Sequence, residues 1–474
     1  MNMSETSAQQ QNYIPYSRKL PIAGEYDVVV AGGGLAGVAA ASAAARTGAR
    51  TAMIEAQSFA GGVATATMEA TMCRHFYSRT GEIAAGGRPL EFVKRLVKMG
   101  AATRNWPSHN FHITFDIELA KLAMDEMLED AGVDIFYSTK VTDALVKDRR
   151  LCGIVISNRS GNQVMHAGCV VDATGDADVA HHAGVSLRTS KSRHSFMFRL
   201  CNVDMDRLVS FFRDNPEEYG IGRSVEDMLA FYEDGYFILE HYGDKLRKTV
   251  GEAIERGEYS KEWGPFHDMH AFKMSGIRAM KTLNINTGMV RLDAPDGKQL
   301  SDVLRAGRKM ARHVHGFLKK RLPGCEKSFI VHTSTMVGLR QTRWLDGAFT
   351  LTEETYGLPF NDTVGWGVVR KPEWRKDRDF FDVPLRCMLP TGVENLIIGS
   401  GRSVSSVPAE MLRVESVTMI VGQGAGTAAA VAVGDGVPVR DVDTDRVRAA
   451  LEDQGCRQPV SAESSDPGEQ KLSK

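Results

Sequence analysis

The stretch between residues 26 and 55 constrains the fold more than any other part of the chain. Tyr26-Asp27-Val28-Val29-Val30 reads as a short buried strand, and Ala31-Gly32-Gly33-Gly34-Leu35-Ala36-Gly37 as a tight turn. An Ala-rich run to Gly48 then reads as a helix, and Arg50-Thr51-Ala52-Met53-Ile54-Glu55 as a second strand ending in an acid. Gly32, Gly34 and Gly37 fill the pattern G-x-G-x-x-G, with the acid about 20 residues further on, as a dinucleotide-binding βαβ unit requires. Each part has a physical task. Gly32 allows the turn, Gly34 lets the backbone approach a pyrophosphate, and Gly37 lets helix and strand pack closely. The helix N-terminus offers unpaired N–H groups and the positive end of a dipole to phosphates. Glu55 can accept hydrogen bonds from a ribose diol and would repel a 2′-phosphate.

The bulk properties exclude several classes. A chain of 474 residues has room for two or three domains' worth of core. Its 43% hydrophobic and 25% charged content is that of a globular protein. A formal net charge of −1 gives no footprint for nucleic acid or an anionic membrane. No apolar run reads as long enough to span a bilayer, and the first residues lack the basic and apolar regions of a signal peptide. Seven cysteines without C-x-x-C pairs argue against a zinc site or a disulfide framework and suit a reducing cytoplasmic setting.

Along the chain, residues 1–24 are polar and read as a disordered arm, and the tail after Gly455 reads the same way. Gly61-Gly62 follows Glu55 closely and suits either a close backbone approach to a cofactor or a plain turn. Residues 89–98 and 115–131 read as helices, and residues 133–166 as a small β region with a hairpin at 151–166. Residues 191–384 differ in texture, with mixed helices, aromatic residues and many charges. They read as a substrate or cap domain inserted into a dinucleotide domain formed by 25–190 and 385–455. Gly422-Gln423-Gly424-Ala425-Gly426 mimics a second glycine loop. It lies inside a predicted helix rather than after a strand, so its small residues are expected to serve close helix packing.

Three separated pieces agree: the fingerprint with Glu55, the strand and turn Val170-Val171-Asp172-Ala173-Thr174-Gly175-Asp176, and the late strand and turn from Asn395 to Arg402. With Gly61-Gly62-Val63-Ala64-Thr65, Phe381-Asp382-Val383-Pro384-Leu385-Arg386, Gly401-Arg402-Ser403 and the run from Gly422 to Ala429, the chain resembles FAD-dependent oxidoreductases of the glutathione-reductase-like superfamily. More narrowly, it looks like the family related to fumarate reductase and succinate dehydrogenase flavoproteins. The resemblance implies an α/β fold: a Rossmann-like FAD-binding domain, with a parallel sheet, helices and a small β-meander, carrying an inserted α+β cap domain. It also implies residue roles. Gly32, Gly34, Leu35, Ala36 and Gly37 would hold the pyrophosphate, and Glu55 the adenosine ribose. Gly61, Gly62 and Val63 would lie along the flavin side, and Val141 would touch adenine. Thr174 and Gly175 would pass near the pyrophosphate, and Gly401 and Arg402 near the ribityl chain. The helix beginning near Arg413 would aim its N-terminus at the flavin, favouring the anionic reduced form. The covalent-histidine context of the succinate dehydrogenase group is absent from residues 56–65, so FAD is expected to bind non-covalently. The two-tryptophan halogenase signature and the Gly-Asp-Ala-x-His run of aromatic hydroxylases are absent too.

No separate NAD(P) fingerprint accompanies the first one. That favours a dehydrogenase, oxidase or desaturase that moves hydride between a small or medium polar metabolite and the flavin. A monooxygenase using external NAD(P)H and an electron-transfer subunit are the alternatives. Arg340, Arg343, Arg386, Arg402 and Arg413 cluster in the parts expected to roof the flavin. They suit either an anionic, carboxylate-bearing substrate or structural ion pairs. Arg340 and Arg386 are the expected substrate clamps, His75 and His332 the expected proton shuttles, and Tyr77 and Glu415 weaker candidates. No metal, membrane or nucleic-acid partner is expected, and the sequence leaves the choice between monomer and homo-oligomer open.

Overall fold

The structure, a computed structural model, describes residues 14–72, 76–77, 82–104, 113–220, 224–239, 246–269, 272–292, 296–369 and 378–456. Strand β1 (Ile22–Ala31) runs into the Gly32–Gly34 turn and helix α1 (Leu35–Arg46), and β2 (Thr51–Ile54) returns parallel to β1. The apolar run Val28–Ala31 is fully buried, as a strand covered on both faces should be. β1 starts before the predicted Tyr26 because Ile22 to Tyr26 pair with residues 164–167, a long-range contact that local apolar pattern does not signal. Helix α2 (Arg88–Lys98) follows, then α3 (Ile117–Glu129), whose Asp116 N-cap carboxylate accepts from the Glu118 and Leu119 amides. Strand β3 (Asp134–Phe136) was expected in the small β region but joins the main sheet, parallel to β2. Strands β4 (Lys140–Lys147), β5 (Arg150–Asn158) and β6 (Gly161–Asp172) form an antiparallel meander, and β6 continues into the main sheet beside β1.

The chain then builds a second, antiparallel sheet. Its strands are β7 (Ser192–Cys201), β8 (Tyr236–Leu239), β9 (Lys273–Ile277) and β10 (Thr282–Leu292). Helix α4 (Gly297–Arg321) and edge strand β11 (Phe329–Thr333) follow. Among the described residues the order is β8-β9-β10-β7-β11, with the short strand Phe266–His267 added on β10. Helix α4 buries Val303, Gly307, Met310, Ala311, Val314, Phe317 and Leu318 on one face and leaves most of its basic residues in water. A Cβ at Gly307 would lie 2.5 Å from the Phe196 ring, so glycine sets how closely α4 seats on β7.

The last part returns to the first unit. Strand β12 (Leu396–Ile398) pairs with the far half of β6, giving the order β3-β2-β1-β6-β5-β4 with β12 beside β6. Helix α5 (Glu415–Asp435) packs along α1, and α6 (Thr444–Asp453) closes the chain's described part. The glycines read as a packing device behave as one: a Cβ at Gly422 or Gly426 would lie 2.0 Å from the carbonyl oxygen of Ala36 or Ala40. Helix α5 is long and apolar enough to cross a membrane, contrary to the reading of the sequence, but 89% of its apolar window is buried inside the protein.

Two large apolar cores result. One draws on residues 28–185 and 345–456, the other on residues 196–339. The inserted unit's core is thus shorter than the 191–384 span suggested, because Leu345, Tyr356, Trp366 and Phe381 pack with the first core. The fold is α/β, with a parallel-containing sheet of the Rossmann type.

Candidate functional site

A cavity of about 640 Å³ lies where the two units meet, within the range of small-molecule and cofactor sites. Its first wall is the fingerprint turn. Gly32 has φ +99°, and a Cβ there would strike the Ala173 carbonyl at 2.5 Å; a Cβ on Gly37 would lie 1.8 Å from the Gly32 oxygen. Both positions therefore exclude a side chain. Gly34 differs: its Cβ would meet nothing nearer than Gly62 Cα at 3.9 Å, so glycine there keeps the cavity open. The Gly61 amide donates to the Gly33 carbonyl at 2.8 Å and binds the glycine pair to the fingerprint. Glu55 is buried against the cavity. It accepts from the Gly33 amide (2.6 Å) through one oxygen and from the Gln57 amide (2.7 Å) through the other. Burial raises its pKa, and the amides of Gln57, Gly33 and Ala56 oppose the rise. Gln57, Thr139, Lys140 and Val141 continue this end of the cavity.

The middle is built from Ala173, Thr174 and Gly175 on one side and Ser400 and Arg402 on the other. The fully buried Asp172 shapes the turn by accepting from the Thr174 amide (3.1 Å), its hydroxyl (2.6 Å) and the Ala180 amide (3.0 Å). Arg402 is held by the Leu339 carbonyl and by Asp176 at 3.4 Å. Gly175, with φ +83°, leaves room for that guanidinium: a Cβ there would lie 2.1 Å from it. Asp178 also lines the cavity. Burial first, and then neighbouring Asp172 and Asp176, push its carboxyl up to about 6, against Arg343 and Arg402. Arg413, Val414, Glu415 and Thr418 bring the N-terminal end of α5 to the cavity.

The far wall comes from the second sheet. Lys273, Asn286 and Met197 are neighbours across β9, β10 and β7, and all three line the cavity with Glu69. Glu69 pairs with Lys273 and also accepts from the Thr71 hydroxyl (2.6 Å) and the Asn286 amide (3.0 Å). Arg340 lines both this cavity and a second one of about 480 Å³, which Arg193, Trp344 and Arg413 also line. The fully buried His194 anchors Arg340: its Nδ1 accepts the Arg340 amide at 3.1 Å, so the ring proton sits on Nε2, facing the Leu292 carbonyl at 3.4 Å. Burial lowers the pKa of this imidazole.

Of the residues singled out from the sequence, Gly32, Gly34, Leu35, Ala36, Glu55, Gly61, Gly62, Val63, Val141, Thr174, Gly175, Arg340, Arg402, Arg413 and Glu415 come together around the cavity. Gly37 and Gly401 stand behind it as packing glycines; a Cβ on Gly401 would lie 1.8 Å from the Leu412 carbonyl. His75 lies outside the described residues. Tyr77 is half-buried and does not line the cavity. His332 does not line the cavity either: it is exposed on edge strand β11, paired on one side by β7. Arg386 is turned to other work. Its amide and Nε donate to Asp362 at 2.9 and 2.8 Å, and its Nη2 to Asn361 at 2.6 Å, away from the cavity lining.

The family model described as FAD dependent oxidoreductase matches residues 27–451, taking in the fingerprint, both later turns and the whole inserted unit. The chain belongs to the FAD dependent oxidoreductase family. FAD is therefore its cofactor, and it is an enzyme acting on a small molecule. The glycine cradle fits that cofactor on structural grounds: Gly32 and Gly61 have no room for a Cβ, Gly34 opens onto the cavity, and the acid and the helix end line it too. No curated protein matches by sequence. Among solved structures, the chain is similar to a geranylgeranyl bacteriochlorophyll reductase-like protein from Thermoplasma acidophilum, at 12% identity and TM-score 0.43, covering 90% of this chain and 82% of that one. It is similar to p-nitrophenol 4-monooxygenase from Pseudomonas putida at 13% identity and TM-score 0.42, covering 90% and 86%. It is also similar to the myxobacterial chondrochloren halogenase at 14% identity and TM-score 0.44, covering 91% and 78%.

Proposed function

We propose that this flavoenzyme transfers hydride between a small, polar, carboxylate-bearing metabolite and non-covalently bound FAD. The observation that carries the reading is Arg340 together with Arg413. Both line the cofactor cavity and the second cavity beside it, which supports an anionic substrate there. A planar guanidinium matches a carboxylate in bidentate fashion. When bound, FAD supplies the two-electron hydride chemistry. The chain's own residues hold, orient and screen.

Gly32, Gly34, Leu35 and Ala36 would hold the pyrophosphate at the α1 N-terminus, and Glu55 the adenosine ribose. Val141 and its neighbours would hold adenine, and Thr174, Gly175 and Arg402 the middle of the cofactor. The α5 N-terminus, with its dipole, would stabilise negative charge on the flavin. The motif set, from Asp172-Ala173-Thr174-Gly175-Asp176 to Gly401-Arg402-Ser403, supports a closer kinship with the fumarate reductase and succinate dehydrogenase-related branch of the glutathione-reductase-like flavoproteins.

Anaerobic half-reactions test this. The oxidised protein is mixed with a panel of carboxylate metabolites and, separately, with NADPH. Bleaching of the visible flavin band by a carboxylate alone is the expected result. Bleaching by NADPH alone, followed by an oxygenated product on admitting air, would refute it in favour of a monooxygenase.

A further inference from the structure

The second cavity, of about 480 Å³, lies beside the first, and Arg340, Glu410 and Arg413 line both. Of the residues assigned to FAD, only Arg413 reaches it, so the cofactor leaves this space open. Arg413 stands just before the α5 N-terminus, and by the reading above the two cavities adjoin at the flavin end. The walls come from the places where the chain crosses between its two units. Strand Leu187–Thr189 pairs with Arg343–Leu345, which sets Trp344 opposite Arg188, and Leu351–Thr352 pairs with Ser406–Val407 and holds the loop that leads to α5.

Part of this lining is apolar and held in place. Trp344 is buried, and the Arg188 guanidinium carbon lies 5.2 Å from the centre of its ring. Asp346 holds Arg188 at 2.7 Å, so the indole is fixed before any ligand arrives. Val407, Pro408 and Ala409 also line the cavity, and Val407 leaves 44% of its surface in water. Covering such apolar surface is favourable in proportion to the area removed from water. The polar part of the lining is largely committed within the protein. The Ser190 and Ser192 hydroxyls bond each other at 3.0 Å, and Arg193 pairs with Asp268 at 3.1 Å. An aromatic and aliphatic wall with a few polar groups is the usual make-up of a small-molecule site.

We propose that the second cavity receives an apolar arm of the substrate, alkyl or aryl, while the carboxylate lies at Arg340 and Arg413. The enzyme then prefers acids that carry such an arm over short ones, and Trp344, Val407 and Ala409 set how long the arm can be. This rests on the carboxylate reading above, and the experiment separates the two.

Acetate, butyrate, hexanoate and octanoate serve as probes, with the primary alcohols of the same lengths beside them. Binding to the FAD-loaded protein is followed by calorimetry and by perturbation of the flavin spectrum, with no turnover. Each methylene that enters the cavity should tighten binding about fourfold, from about 0.8 kcal/mol per buried CH₂, until the arm reaches solvent. Ala409→Trp fills the cavity and flattens the series. Val407→Ser, at an exposed position, lowers the step per methylene. FAD content and melting temperature show whether each variant is folded; if Ala409→Trp is not, Val407→Ser decides alone, and an unchanged step there overturns the proposal. A wild-type series with no dependence on length, or an Ala409→Trp protein that keeps the wild-type step, also overturns it and leaves the carboxylate reading standing. Alcohols that bind as tightly as the acids, with a length dependence that Ala409→Trp removes, overturn the carboxylate reading while the subsite for the arm stands.

Discussion

Helix α5 offers a prediction with its own internal control. Gly426 and Gly434 lie eight residues apart on the same helix, and replacing either by alanine makes the same chemical change. At Gly434 a Cβ meets nothing within 4 Å, so alanine contributes only its better helix propensity, about 0.5–1 kcal/mol and less near the helix end. At Gly426 the new Cβ would lie 2.0 Å from the Ala40 carbonyl oxygen and 2.7 Å from its carbon. Backbone of α1 cannot swing aside as a long side chain would, so the two helices must part by roughly an ångström, at an overpacking cost of about 1–3 kcal/mol or more. Propensity offsets about 0.5–1 kcal/mol of that. The net expectation is a loss of up to about 2.5 kcal/mol for Gly426→Ala and a small gain for Gly434→Ala. Because α1 and α5 both present their N-terminal ends to the cofactor cavity, parting them also loosens the cradle. Thermal melts of both variants, with and without added FAD, and the rate of FAD release by fluorescence, check this. A Gly426→Ala protein at least as stable as Gly434→Ala, holding FAD as long as the wild type, would refute the packing argument.

Three further outcomes follow from the site. Glu55→Gln removes the charged ribose acceptor while keeping the shape, and FAD affinity should fall about tenfold or more, read by fluorescence titration; unchanged affinity would remove Glu55 from the cofactor site. Burial depresses the His194 pKa, so the unfolded chain binds the extra proton more readily. Stability should therefore fall as pH drops below about 6.5, the unfolded value, and His194→Gln should flatten that slope in melts from about pH 7.5 down to about pH 5. Arg386→Ala severs an exposed pair with Asp362, so stability should change by no more than about 1 kcal/mol, and FAD affinity and carboxylate binding should stay at wild-type values; a lost response to carboxylates would return Arg386 to the site.

The cofactor half of the site was legible because its signal is local. The Gly32–Glu55 unit, the Asp172–Asp176 turn and the Gly401–Arg402 turn are short runs in which spacing itself expresses the geometry. The far wall of the cavity was not. Sheet register sets Lys273 opposite Asn286 and Asn286 opposite Met197, and Glu69 reaches them from outside the sheet. One trace of it stood in the chain: Leu283-Asn284-Ile285-Asn286 and Lys273-Met274-Ser275 alternate apolar and polar residues, the mark of a strand with one face on a core. Alternation names the face but not what lies opposite. His332 and Arg386 misled for a related reason: residue type suggested chemistry, while an edge strand and a nearby Asp362 decided where those side chains went.

The packing of α5 on α1 also bears on how the enzyme is made. Residues 32–37 are made well before the helix that lies against α1, which ends at residue 435. Until that stretch has been synthesised, Ala36 and Ala40 lack their glycine-lined neighbour and the cofactor cradle lacks one wall. A chain synthesised only as far as the inserted unit carries its fingerprint without the α5 side of the cradle.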